Sequence, residues 1–335
     1  MSAVPRARDR AEPLVVGVVG AGRVGAVLGA ALAAAGHRVV AAAGVSTASR
    51  DRIARLLPQA AVLPVDQVAH AATDLLLLAV PDDALAGVVT GLRATGAQPA
   101  GQIVAHTSGA HGVAVLGETA GIALHPAMTF TGESADLDRL PGIAYGLTAP
   151  GPLRPFAARL VTDLGGVPEW VAEDARPVYH AALAHGANHL VTLVNEAADL
   201  LRAAGVERPG TVLAPLLRAA LENALRLGDA ALTGPVSRGD AGTVHKHLDR
   251  IPAEAVPAYL ALARRTADRA IAAGRLRPQD AVALLDVLAH AARADAEPAQ
   301  AWLAQARPAQ AWPAEAWPAE AWPADGAGRA EEVAP

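Results

Sequence analysis

Three groups of residues in this sequence are suited to chemistry. They are glycines spaced to admit a phosphate, histidines and hydroxyls where apolar runs end, and polar residues along one long helical stretch. The first is Gly20-Ala21-Gly22-Arg23-Val24-Gly25. It follows the apolar run Leu14 to Val19 and opens a helical pattern, the setting a dinucleotide-binding fingerprint requires. There Gly20 makes the tight turn, Gly22 lets the backbone approach a pyrophosphate, and Gly25 lets helix pack on strand. Arg23 and Val24 begin the helix, whose unpaired amides and partial positive charge favour phosphate. A purely structural glycine turn is the plainer alternative.

The end of the second strand bears on which dinucleotide is bound. An acidic residue there holds the ribose 2'-hydroxyl of NAD. This chain instead reads Ala43-Gly44-Val45-Ser46-Thr47-Ala48-Ser49-Arg50, neutral and then hydroxyl-rich and basic. That suits a 2'-phosphate, with Ser46, Ser49 and Arg50 as candidates and Arg50 able to pair bidentately. The expected cofactor is therefore NADP, with NAD the weaker alternative. The competing reading makes Ser46 or Thr47 a helix cap and leaves the arginines in solvent. Val80 and Pro81, after the run Leu75 to Val80, are expected to line the adenosine or nicotinamide side, with Asp82 either beside them or capping the next helix.

Hydride transfer to a carbonyl or imine requires positioning, polarisation and a proton. Ser108, in His106-Thr107-Ser108-Gly109, is a candidate to hydrogen-bond a substrate carbonyl or carboxylate, or else a turn cap. His125, before Pro126, is a candidate proton donor because its reference pKa lies near neutrality, or else a structural histidine. On the long stretch from Tyr179, His180 and Asn188 are candidates for polarising substrate. His185 and His189 have i,i+4 spacing, but neither an HExxH pattern nor a suitably placed carboxylate accompanies them, so no metal is expected. Lys246 is the only lysine, a fact of composition rather than a sign of catalysis.

The elements that must hold these residues alternate. Short apolar runs at Leu14 to Val19, Arg38 to Ala43, Val62 to Leu63, Leu75 to Val80, Ile103 to His106 and Ile122 to Leu124 are separated by helical stretches at Val24 to Ala35 and Ser49 to Leu57. Ile143 to Thr148 and Val167 to Val171, with a helix at Leu153 to Leu164, extend the sheet. This predicts an α/β fold with a doubly wound parallel Rossmann sheet, residues 13–172. The stretches Tyr179 to Ala204, Val212 to Leu227, Ala255 to Ala273 and Pro278 to Ala292 predict an all-helical domain, 173–295. Residues 1–12 read as a disordered lead. Residues 296–335 carry Ala-Trp-Pro repeats and four of the five tryptophans, and read as a disordered tail or a partner-recruiting segment.

Composition narrows the function. The 335 residues are 52% hydrophobic and 18% charged with a net charge of -5, so nucleic acid is not an expected partner. The absence of cysteine excludes disulfides and thiol catalysis. No apolar run is long enough for a membrane span, and the expected location is cytoplasmic.

Residues 13–292 resemble bacterial Rossmann-like oxidoreductases with a C-terminal domain of unknown function, in the 6-phosphogluconate dehydrogenase C-terminal-like superfamily. The likeness rests on Gly20 to Gly25, Ala79-Val-Pro-Asp82, His106 to Gly109, Leu124-His-Pro126, Tyr179-His180 through Asn188, and Ala231-Leu-Thr-Gly-Pro-Val-Ser-Arg-Gly-Asp240 with Thr243-Val244 and His247-Leu248. Relatives include pyrroline-5-carboxylate reductase, ketopantoate reductase and the deazaflavin-linked NADP reductases. The resemblance implies an oxidoreductase but no particular substrate. The leading expectation is an NADP(H)-dependent oxidoreductase or dehydrogenase transferring hydride to or from a small oxo acid or imine, with a ketopantoate-type substrate suggested by family analogy alone. The resemblance also implies a homodimer through the C-terminal helices. By analogy, Thr233 and Arg238 bind a substrate carboxylate, with an Arg238–Asp240 loop staple as the alternative. A non-catalytic NADP(H)-binding regulator or sensor is the competing function.

Overall fold

The computed structural model describes residues 12–295. The arginine-rich lead before Glu12 and the Ala-Trp-Pro repeats lie outside the described residues. The chain divides into two compact units, with the division after His189, inside a long helix.

The first unit is built on β1 (Val15–Val19), α1 (Arg23–Ala34), β2 (Arg38–Ala43), α2 (Thr47–Leu56), β3 (Ala61–Val62), α3 (Val65–Ala71), β4 (Leu75–Leu78), α4 (Asp82–Thr95), β5 (Ile103–His106) and β6 (Gly121–Pro126). It continues through β7 (Ala144–Thr148), α5 (Arg154–Asp163) and β8 (Val167–Trp170) into the helix α6 (Arg176–Ala203). The strands form one sheet in the order β3-β2-β1-β4-β5-β6-β7-β8. The strand order reverses between β1 and β4, the switch point where a doubly wound sheet opens a ligand crevice.

The β4 run Leu75-Leu-Leu-Leu78 is buried at every position, as a central parallel strand covered on both faces must be. Burying each leucine contributes about 2 kcal/mol. One core layer packs α1, α2 and α5 against the sheet through Val27, Leu28, Ile53, Leu77 and Leu160. The other packs α3 and α4 through Val68, Leu76, Leu85 and Val89. These two helices go beyond the elements read from the sequence: α3 has only seven residues, and Gly87 and Gly91 blur the periodicity of α4.

Strands β1 to β6 are parallel, but β7 runs antiparallel to β6 and β8 parallels β7. The link between β6 and β7 holds only the 3-10 turn Ser134–Arg139 and no crossover helix, so the chain returns in the opposite direction. That link is ordered by Asp136, a fully buried carboxylate accepting from the amides of Thr131 and Gly132, each at 2.8 Å.

The second unit contains the rest of α6, then α7 (Pro209–Leu227), α8 (Gly234–Ser237), α9 (Ala241–Leu248), α10 (Val256–Ala272) and α11 (Pro278–Asp295). Its core joins α8 to α11 through Val236, Val244, Leu260, Ala267, Leu284 and Leu288. Leu216 and Leu225 of α7 are exposed, as are Val191 and Leu193 of α6.

Candidate functional site

The register of the sheet puts the chemistry-bearing loops on one edge. Val19 pairs with Leu78, Leu78 with His106, and His106 with Ala123. The chain therefore leaves β1, β4 and β5 at one level, with His125 just above it on β6. The turn at Gly20 has φ +85°, and the Gly20 and Ala21 amides donate to the Ala43 carbonyl at 3.1 and 2.9 Å. A Cβ on Gly25 would lie 2.4 Å from the Gly20 oxygen and 2.9 Å from the Ala79 Cβ, so helix and strand approach as closely as backbone allows. Gly22 is different. The nearest atom to a Cβ there is 3.9 Å away, so the space above it is open. No side chain caps α1 at Gly22, and Arg23 beside it is exposed. An open glycine before an uncapped helix N-terminus is a cradle that fits a pyrophosphate.

Ser46 and Ser49 occupy the start of α2 as a reciprocal cap. The Ser49 amide donates to Ser46 Oγ at 3.1 Å, and the Ser46 amide donates to Ser49 Oγ at 3.0 Å. Ser49 is buried and its hydroxyl also donates to the Ser46 carbonyl, so it is committed to the cap, while Ser46 and Arg50 are exposed. Arg50 donates to the Val45 carbonyl at 3.0 Å. Val80 is half-buried against the α3–α4 layer. Pro81 is the N-cap of α4, which leaves Asp82 and Asp83 in the first turn, where the helix dipole favours them.

Above β5 and β6 two imidazoles converge. The rings of His125 and His180 have centroids 5.8 Å apart. Gly109 lies between them: a Cβ there would come within 3.0 Å of His125 Nε2 and 2.6 Å of a His180 ring carbon. On its other side, His125 Nδ1 is 3.0 Å from the Tyr179 hydroxyl. Burial, with smaller contributions from His180 and Arg176, lowers the His125 pKa to about 4. At neutral pH His125 is an uncharged imidazole, suited to donating a hydrogen bond rather than delivering a proton from an imidazolium. Ser108 is buried, and its hydroxyl accepts from the His111 amide at 3.1 Å, which makes it a turn cap. His106 is fully buried and also lowered to about 4, chiefly by burial, and its Nε2 donates to the Gly112 carbonyl at 2.8 Å.

Three residues at and just before the start of α6 organise this edge, and the sequence reading assigns none of them a role. Arg176 is fully buried. It donates to the Thr148 hydroxyl (2.8 Å) and to the carbonyls of Ser108 (3.1 Å), Gly146 (2.9 Å) and Ala123 (3.3 Å). All four acceptors are neutral. Glu173 accepts from the Val113 and Ala114 amides at 2.8 and 2.9 Å, capping a 3-10 turn. The third is Tyr179. In the sequence Glu173 and Arg176 are marked only by their position at a helix start, after a strand, and Tyr179 also by the Tyr179-His180 motif. Arg176 is further hidden by a composition in which arginine is abundant.

The remaining candidates are not gathered here. Asn188 is exposed, two turns beyond His180 on α6. His185 and His189 touch through their Nδ1 atoms at 2.9 Å on an exposed face. Among the described residues no group of three or more His, Asp or Glu stands ready for a metal. In the second unit Thr233 is the N-cap of α8 and Arg238 its C-cap, both exposed. The carboxylate of Asp240 accepts from the Thr243 amide and hydroxyl at 3.0 and 2.8 Å, so it caps α9. Lys246 is exposed on α9. No helix among the described residues is long and apolar enough to cross a membrane.

Comparison with known proteins agrees with this architecture. Residues 3–126 match the Rossmann-like domain, and residues 143–266 match a domain of unknown function, DUF2520. The fold is similar to that of a Bacteroides fragilis protein provisionally assigned as an NADP oxidoreductase (20% identity, TM-score 0.66, covering 76% of this chain and 98% of that one). It is also similar to protein TM1727 of Thermotoga maritima (18% identity, TM-score 0.58, 77% and 99% covered). A third similar structure is the 1-pyrroline-5-carboxylate reductase of Streptococcus pyogenes (15% identity, TM-score 0.53, 83% and 98% covered). Among curated proteins none matches this chain.

Proposed function

We propose that this chain, which joins a Rossmann-like domain to a DUF2520 domain, is an NADP(H)-dependent oxidoreductase acting on a small anionic oxo acid or imine. The observation that carries this reading is the convergence of His125 and His180 beside Gly109, on the same sheet edge as the open glycine cradle. A nicotinamide dinucleotide held at that cradle supplies or accepts the hydride. Gly20 to Gly25 would hold its pyrophosphate, and Ser46 with Arg50 its 2'-phosphate. The neutral end of β2, at Ala43, offers no carboxylate to favour NAD. The reductases among the similar folds support the class of reaction, and the B. fragilis protein's assignment supports NADP.

The chain's own part follows from its charges. The buried Arg176 has no carboxylate among its hydrogen-bond partners, so it leaves positive potential beneath the loop at Ser108 and Gly109. That potential draws an anionic substrate, while burial, with smaller contributions from His180 and Arg176, keeps His125 uncharged. His125 and His180 then polarise the carbonyl or imine. A ketopantoate-type oxo acid is the simplest substrate with this chemistry.

The test is NADPH oxidation against a panel of oxo acids and cyclic imines. Turnover that is lost in His125→Gln and Gly109→Val, with NADPH affinity unchanged, supports the reading. Tight NADPH binding without turnover of any panel member favours the alternative, a dinucleotide sensor. The observation on that side is that Ser108 is spent on a turn and His125 is not an imidazolium acid at neutral pH.

The assembly is proposed to be a homodimer. Leu216 and Leu225 on α7, with Val191 and Leu193 on α6, expose more apolar surface than a solvated helix pair requires. A second copy of this chain is the occupant the resemblance implies. Light scattering should give twice the chain mass, and Leu216→Glu with Leu225→Glu should give the monomer.

A further inference from the structure

The candidate site contains a hydrogen bond whose polarity decides what the site can do. His125 Nδ1 and the Tyr179 hydroxyl are 3.0 Å apart, with the rings at 90°. Either partner can donate across such a contact, and only one choice leaves an N–H on the Nε2 side, toward Gly109.

The surroundings of Tyr179 resolve the choice. A Cβ on Gly146 would fall 2.5 Å from the phenol oxygen, so the Gly146 backbone lies directly against it. Burial raises the Tyr179 pKa above its ordinary value, so the phenol keeps its proton at neutral pH. The Gly146 carbonyl is occupied by Arg176 at 2.9 Å. The phenol proton is left needing an acceptor, and a half-buried hydroxyl normally finds one. Among the described residues, the acceptor in hydrogen-bond reach is His125 Nδ1. An imidazole that accepts at Nδ1 carries its proton at Nε2.

We infer that Tyr179 is a positioning residue that fixes His125 as the Nε2–H tautomer, which puts the N–H on the side of the ring that faces Gly109. The Nε2 atom already lies 3.0 Å from where a side chain on Gly109 would begin. A substrate carbonyl oxygen or imine nitrogen that reaches Nε2 receives a hydrogen bond from an uncharged donor. Arg176 supports the arrangement from below, because it holds the carbonyls of Ala123 and Gly146 on the two strands that carry His125 and contact Tyr179. The inference deepens the reductase reading, and its use in turnover rests on that reading. The tautomer itself does not.

The experiment is long-range nitrogen–proton NMR on the full chain labelled with 15N-histidine, without substrate, with His125 assigned by its loss in His125→Asn. The wild-type protein should show His125 protonated at Nε2, with Nδ1 unprotonated and shifted upfield by an accepted hydrogen bond. Tyr179→Phe should yield a mixture of tautomers, with the Nδ1 and Nε2 shifts drawn toward each other. Should that variant misfold, 3-fluorotyrosine incorporation keeps the side chain's shape and makes the phenol a stronger donor, and Nδ1 should move further upfield. A wild-type His125 protonated at Nδ1, or an Nδ1 resonance unmoved by either change, overturns the inference. Failure to find any substrate that the protein reduces with NADPH would count against the reductase reading and leave this result standing.

Discussion

The guanidinium of Arg176 donates through Nε to the hydroxyl of Thr148 at 2.8 Å. Thr148 donates onward to the Val171 carbonyl at 2.6 Å, so one buried cation links β7, the segment after β8 and the helix that follows. Replacing Arg176 by Met would strand the carbonyls of Ser108, Ala123 and Gly146 in a buried setting. We expect a loss of about 3 kcal/mol or more in urea denaturation, since buried acceptors lose charge-assisted partners. Arg176→Lys should recover only part of it, because an ammonium cannot span four acceptors arranged around a planar fork. An unchanged midpoint in Arg176→Met would show that the network does not hold the fold.

Stability should fall on acidification in a defined window. His106 and His125 have pKa values lowered from 6.5 to about 4 in the fold, each chiefly by burial. Between those values the unfolded chain binds protons that the folded chain refuses, so stability is complete above pH 6.5 and drops as pH falls toward 4. The linked loss is about 3 kcal/mol per histidine at most. Urea midpoints measured across that range should drop steeply for the wild-type protein. His125→Asn should flatten the profile by roughly half, and equal slopes in the two proteins would contradict the burial argument.

Two glycines of the fingerprint should fail in different ways. Gly22→Val meets open space and leaves the fold intact, but its side chain occupies the cradle. NADPH affinity should drop by about 100-fold, roughly 2.7 kcal/mol, with an unchanged melting temperature. Gly25→Val drives carbon into the Gly20 carbonyl and should lower the melting temperature outright. Isothermal titration beside thermal unfolding separates the two, and a Gly22→Val protein that still binds NADPH tightly would remove the cradle from the site.

Coenzyme preference is predicted to depend on Arg50. Its guanidinium is exposed and held back only by the Val45 carbonyl, so it can swing to a 2'-phosphate at the end of β2. Arg50→Ala should weaken NADPH by about tenfold, the worth of one charge-assisted pair on an exposed site. NADH affinity should stay where it was. Equal effects on both coenzymes would move the 2'-phosphate contact elsewhere.

Much of this was legible in the sequence because it rests on local rules. The buried run at Leu75–Leu78, the glycine turn and the long helix from Arg176 each declare themselves by periodicity or by a residue only one conformation tolerates. The convergence of His125 and His180 did not declare itself, though each residue was a candidate. Their meeting depends on strand register and on a glycine at 109 that looks like any turn residue. Ser49 and Ser108 illustrate the opposite problem. A hydroxyl that caps a turn and one that binds a ligand have the same sequence context, and only the hydrogen-bond geometry separates them. Arg176 and Tyr179 act through partners far along the chain, at Thr148, Ala123 and His125, so no local window contains their role.

The reversal of direction at β7 has a consequence for how the site is assembled. Because β7 and β8 descend, the chain arrives at Arg176 level with Ala123, low on β6, and α6 must climb from there. One helical turn of ascent brings Tyr179 alongside His125. Had β8 run upward with the first six strands, the chain would have emerged already at the top edge, and a helix starting there would carry its second turn away from the histidine. A single hairpin-like return thus acts as an elevator stop. Adding or deleting one strand after β6 would invert the heading of α6 and break up the Tyr179–His125 pair without changing any residue in it.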